Sequence, residues 1–232
     1  MDNQTASLKK TARFAGLLYL IFTIPGAYGL VYVPSQIMVD GNAAATVKNL
    51  LAHEFLFRTG IVSQLFCYCL FIYLVLVLHR LLKQAGEYPA KLMVALVLVQ
   101  STLGFFIETF NFTALMIAKG QVLSNFSALQ RQDMVMLFLK MHTYSLIALE
   151  IFWGFWLLPF GQVVYRSGFI PKVFGVLLTL AGISYITESL TYFLFPAYHQ
   201  TVAHYAGWFC SVGEFSIVLW LLIMGARVPK VK

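Results

Sequence analysis

Four of the nine acidic residues, Glu108, Glu150, Glu188 and Glu214, fall inside stretches that are otherwise apolar, and His142 falls inside another. Each ionisable side chain near the centre of a bilayer costs roughly 2.5 to 3.5 kcal/mol on insertion scales. All five must therefore be paired, neutral or wet. A carboxyl in such surroundings can bind a cation, exchange a proton or hydrogen-bond a small solute, and a histidine that titrates near neutrality is its natural proton partner. Gln64 belongs with them by depth, and Asn111 lies one helical turn from Glu108.

Register along the helices places Glu108, His142, Glu188, Glu214 and Gln64 at roughly one level, nearer the outer face. Glu150 follows His142 by eight residues, which puts it deeper and about 80° round the same helix. The expected arrangement is an outward-facing polar pocket built from Glu108, His142, Glu150, Glu188 and Glu214. The competing reading makes the same groups helix-to-helix glue, at about 0.6 to 2 kcal/mol per hydrogen bond. Asn or Thr would supply similar glue at a lower insertion cost.

A metal site is the third chemistry, because Zn²⁺ takes His and carboxylate ligands together and activates water for hydrolysis. His142, Glu108, Glu188 and His204 are the candidates, and they are weak ones. No HExxH, HxxxH or ExxH pair is present to concentrate ligands on one helix face. His142 and His204 differ in depth, which disfavours a haem held between them. The sequence specifies no cofactor, no catalytic residue and no oligomeric state.

The elements that position these side chains are dictated by composition. The chain of 232 residues is 60% hydrophobic and 11% charged, with a mean hydropathy of +0.79. Soluble domains carry about a quarter charged residues. The apolar runs are long enough to cross about 30 Å of hydrocarbon as helices. Six are expected, at about 13–33, 58–83, 91–118, 132–165, 171–195 and 204–226, forming one domain over 1–232. The first run is too long for a signal-peptide core and reads as an uncleaved span. Cys67, Cys69 and Cys210 sit in apolar runs without a CxxC pattern and read as small core residues.

Charge sets the expected orientation. With a cytoplasmic N-terminus, the inner side holds Lys9, Lys10, Arg13, Arg80, Lys83, Lys91, Arg166, Lys172, Arg227, Lys230 and Lys232, and the outer side holds Lys48, Arg58, Lys119, Arg131 and Lys140. That asymmetry obeys the positive-inside rule with both termini cytoplasmic. It also explains the net charge of +7 without nucleic acid. Membrane lipid and a small solute or ion are the expected partners. In the first outer loop, Val47, Leu50, Leu51 and Phe55 recur at helical spacing with Lys48, His53 and Glu54 between them. This reads as a short amphipathic helix on the outer surface, or as an extension of the second span above the bilayer.

Several segments resemble a known family: AGLLYLIFTIPG, AHEFLFRTGIV, HTYSLIALEIFWGFWLLPFGQVVYRSGFIPKVFGVLLTLAG and GEFSIVLWLLIMGAR. Together they are similar to the bacterial membrane proteins grouped as domain of unknown function 4386. The resemblance implies a multi-pass protein of the bacterial cytoplasmic membrane and brings no established activity. It maps family positions onto His142, Glu150, Arg166 and Glu214. The functional expectation is a protein that binds or transports a small solute or ion through the Glu/His pocket. The alternatives are a metal-dependent intramembrane hydrolase and a structural or accessory subunit that would meet its partner through Gly175, Thr179 and Gly182.

Overall fold

The computed structural model describes residues 2–227, and side chains from residue 6. Lys230 and Lys232 of the expected inner charge set lie outside the described residues. The protein is all-α. Helix α1 (Asp2–Ala27) runs through a π turn (Tyr28–Tyr32) into α2 (Val33–Ile37); then follow α3 (Ala43–Ala52), α4 (Glu54–Leu82), α5 (Glu87–Ala118), α6 (Ala128–Arg166), α7 (Lys172–Leu194) and α8 (His199–Ile223).

Among the described residues, six stretches are long and apolar enough to span a membrane: Ala6–Ile37, Glu54–Ala85, Glu87–Ala118, Ala128–Arg166, Lys172–Leu194 and Pro196–Ile223. Most start four or more residues before the expected positions. Hydropathy marks where a helix enters lipid, whereas the backbone stays helical through polar turns that reach past the hydrocarbon.

The amphipathic helix expected after the first span is α3. Asn42 caps it, its Oδ1 accepting from the Ala45 amide at 2.9 Å. Thr46 and Leu50, four residues apart, are fully buried on its inner face. At His53 the backbone leaves helical geometry, with φ −112° and ψ 35°. Hence α3 is a separate helix and α4 begins afresh at Glu54.

The described residues divide into two compact units. One, here the terminal unit, comprises those within Met1–Ile21, Leu70–Ser101 and Ile147–Lys232; the other, the loop unit, comprises Phe22–Cys69 and Thr102–Leu146. The expected inner basic residues that are described all belong to the terminal unit, and the five outer ones to the loop unit.

The loop unit is packed around Val33, Ile37, Leu50, Phe57, Ile61, Leu115, Val135 and Leu139. In the terminal unit, aromatic rings from three elements converge: Trp156 meets Phe71 edge-on with centroids 5.0 Å apart, stacks on Phe160 at 5.2 Å and lies 6.3 Å from the Tyr19 ring. The aromatic cluster on α6 thus contributes packing through Trp156, while Phe155 is exposed.

Also in the terminal unit, α6 and α7 pack backbone to backbone. Cβ atoms at Gly161 or Gly175 would each stand 2.7 Å from the other residue's carbonyl oxygen, and one at Gly182 would stand 2.8 Å from the Gly154 carbonyl. Gly154 pairs with Gly182 and Gly161 with Gly175, a seven-residue spacing on both helices that fixes an antiparallel register. Small residues permit such close approach in lipid, where dispersion rather than the hydrophobic effect joins helices. The Gly175, Thr179, Gly182 face expected to meet a partner is therefore occupied by α6 of the same chain. Gly168, at φ +73°, supplies the left-handed turn that returns the chain between them.

Candidate functional site

The π turn is where the site begins. Val33 donates its amide to Tyr28 O, five residues back, so the ladder gains one residue here. Such a turn leaves nearby carbonyls without their usual helical donors, and in lipid each must find another. Helix α4 supplies them within the loop unit: Ser63 Oγ donates to Pro25 O at 3.0 Å and Gln64 Nε2 to Gly26 O at 3.0 Å. Gly29 allows this approach, since a Cβ there would run into the Gln64 side chain.

Facing this junction are Glu108 on α5 and His142 on α6. Glu108 is 2% exposed and His142 is 9% exposed. His142 Nε2 lies 3.1 Å from Glu108 Oε1, and Asn111 Nδ2 donates to Glu108 Oε2 at 3.2 Å. Both carboxyl oxygens are thereby engaged, one by a titratable group and one by an amide. A cavity of about 50 Å³ opens among them, lined by Gln64, Glu108, Asn111, His142 and Thr143 together with apolar residues from Gly29 to Ile61 and Leu139. A water needs about 10 to 15 Å³ by this measure, so the space holds three to five waters or their equivalent.

Tyr68, on α4, was not among the residues expected in the site. Its ring rests where a Gly104 side chain would otherwise stand. Its hydroxyl is buried without a hydrogen-bond partner among the described residues.

The remaining expected residues belong to the terminal unit and do not line this cavity. Glu214 is held by two phenols: Tyr19 OH donates to Oε2 at 2.6 Å and Tyr185 OH to Oε1 at 2.9 Å. Helix α8 starts at His199 rather than 204, which puts Glu214 fifteen residues from its start instead of ten. Glu150 is half-buried, with Oε2 enclosed and without a partner among the described residues. Tyr19 and Tyr185 carried no sequence signal beyond a hydroxyl in an apolar run.

The weak metal candidates are divided between the two units. His142 and Glu108 meet in the loop unit, while Glu188 belongs to the terminal unit and His204 is exposed there, edge-on to Tyr205. Among the described residues, no three His, Cys, Asp or Glu side chains come together in a way that could hold a metal ion.

The family model for domain of unknown function DUF4386 matches residues 14–225. The chain belongs to this family. Among curated proteins, an uncharacterized protein of Archaeoglobus fulgidus is 34% identical over 89 residues, covering 38% of this chain and 51% of the relative. The chain thus spans about half the length of the curated relative it matches. No solved structure matches the chain. In this DUF4386 protein the matched region contains every residue of the cavity and of the Glu214 cluster.

Proposed function

We propose that this DUF4386 protein is a multi-pass protein of the bacterial cytoplasmic membrane that binds, and by binding moves or senses, a small polar solute or ion in the Glu108–His142 cavity. The observation that carries the reading is the coincidence of a buried carboxyl, a buried imidazole and two amide side chains around space for a few waters. Groups serving only as glue satisfy each other and close the gap between them. The cavity volume excludes large cargo, because sites for drug-sized ligands occupy about 300 to 1,000 Å³.

The test is thermal unfolding of the detergent-purified full chain against a panel of small ions and neutral solutes. A ligand at a hundred times its Kd stabilises by about 2.7 kcal/mol, which is readily seen as a rise in Tm. The expected result is a ligand that stabilises the wild type and loses that effect in Glu108→Gln and His142→Ala. A panel that leaves the wild type unmoved, or that acts equally on these variants, overturns the proposal.

A further inference from the structure

The hydrogen-bond inventory of the cavity narrows its occupant, on the reading of the cavity as a binding site. Gln64 commits its amide nitrogen to the Gly26 carbonyl, and Asn111 commits its amide nitrogen to Glu108. Those partners fix which way each amide points, because a carbonyl and an ionised carboxylate accept and cannot donate to an oxygen. Gln64 Oε1 and Asn111 Oδ1 are then acceptors with no donor among the described residues, on side chains that line the cavity.

Glu108 adds two further oxygens with lone pairs beyond those used by His142 and Asn111. The wall at α1–α2 adds no compensating donor, since Pro34, which also lines the space, has no amide hydrogen. The cavity therefore offers a carboxyl and two amide oxygens, with His142 Nε2 already spent on Glu108.

Asn111 keeps one further amide hydrogen, but oxygen lone pairs outnumber such donors, and so acceptor-rich a wall disfavours anions. It suits a cation. Oxygen ligands of mixed carboxyl and carbonyl type are those hard cations take, and replacement of the hydration shell by carbonyl oxygens is how ion filters recognise a monovalent ion. The volume, equivalent to a few waters, admits one such ion and part of its shell. A divalent ion would demand more carboxylates, and no second one lines the cavity.

We infer that the ligand of the Glu108–His142 cavity is a small monovalent cation, held by Glu108 with the side-chain oxygens of Gln64 and Asn111. Sodium, potassium and ammonium share this chemistry and differ in size and in carrying their own donors.

The full chain, purified in detergent with choline as the sole bulk cation, is titrated with radiolabelled Na⁺ and then with unlabelled Na⁺, K⁺ or NH₄⁺ as competitors. The expected result is saturable binding, one ion per chain, weakened about tenfold or more by both Glu108→Gln and Gln64→Met. The order of the competitors identifies the ion. Gln64→Met retains the side chain's length, so it carries the test if Glu108→Gln fails to fold.

Absence of saturable Na⁺ binding, together with no rise in Tm from any of the three cations, overturns the inference. If a neutral or anionic solute then stabilises the wild type but not Glu108→Gln, the cavity is a binding site for another class. If no solute does, the binding-site reading falls with it. Binding that survives Gln64→Met and Glu108→Gln unchanged places the ion elsewhere and also overturns the inference.

Discussion

Glu108 and Glu214 are both intramembrane glutamates with both oxygens hydrogen-bonded, yet their partners differ in kind. Glu214 is held by Tyr19 and Tyr185 from α1 and α7, two neutral hydroxyls that each use their single proton on it. Glu108 is held by an imidazole, which can exchange the proton it shares, and by an amide that leaves an oxygen free. The first arrangement is complete and joins three helices. The second is open toward a cavity. Burial of a carboxyl in a membrane helix is therefore insufficient to mark a functional site; what distinguishes the two is whether the surrounding groups are exhausted.

The largest effect should come from the contact that holds the terminal unit together. In Gly154→Leu, the new side chain would meet the Gly182 carbonyl and Ile186 at once. Backbone cannot step aside as a flexible side chain can, so the cost should be about 3 kcal/mol or more, at the upper end of overpacking. Because α7 carries Tyr185, the wedge should also break its bond to Glu214. Unfolding in mixed micelles measures the loss. A variant as stable as the wild type would mean that α6 and α7 do not approach through their glycines.

Next in size is Glu214→Ala, which should cost about 2 kcal/mol by leaving two buried hydroxyls without an acceptor, each intramembrane bond being worth about 0.6 to 1.7 kcal/mol. It should leave any ligand-induced rise in Tm unchanged. Glu108→Gln should do the reverse, sparing most of the stability and abolishing the response. If both variants lost both properties, the division into a clamp and a pocket would be wrong.

Much of this architecture is legible in the sequence because the bilayer imposes one length and one polarity on every span. The six spans and the isolation of Glu108, Glu150, Glu188 and Glu214 follow from that constraint, whereas the break at His53 that separates α3 from α4 does not. Which glutamate meets which partner does not. Glu108 and His142 are 34 residues apart and Tyr19 and Glu214 are 195 apart, so their pairing depends on how helices turn about their axes. The glycine pairs have a visible seven-residue spacing, but Gly175 and Gly182 alone read equally well as a face for another chain. Tyr19 and Tyr68 look alike in sequence, each a phenol in an apolar run, and only packing gives one an acceptor and the other none.

Those two tyrosines provide the smallest and sharpest test of the comparison. Tyr19→Phe should cost about 1 kcal/mol, because it removes the donor at 2.6 Å from a carboxyl that remains buried. Tyr68→Phe deletes a buried hydroxyl that makes no bond to the described protein. Removing an unsatisfied polar atom without opening a large void should be neutral or stabilising, within about 1 kcal/mol. The ring itself matters more than its oxygen: Gly104→Ala should destabilise, since a methyl group would overlap the Tyr68 ring. A difference of sign between Tyr19→Phe and Tyr68→Phe would confirm that one phenol serves the clamp and the other is unpartnered. An equal cost would mean that the Tyr68 hydroxyl is bonded in the membrane, and a bridging water would then be the group to seek.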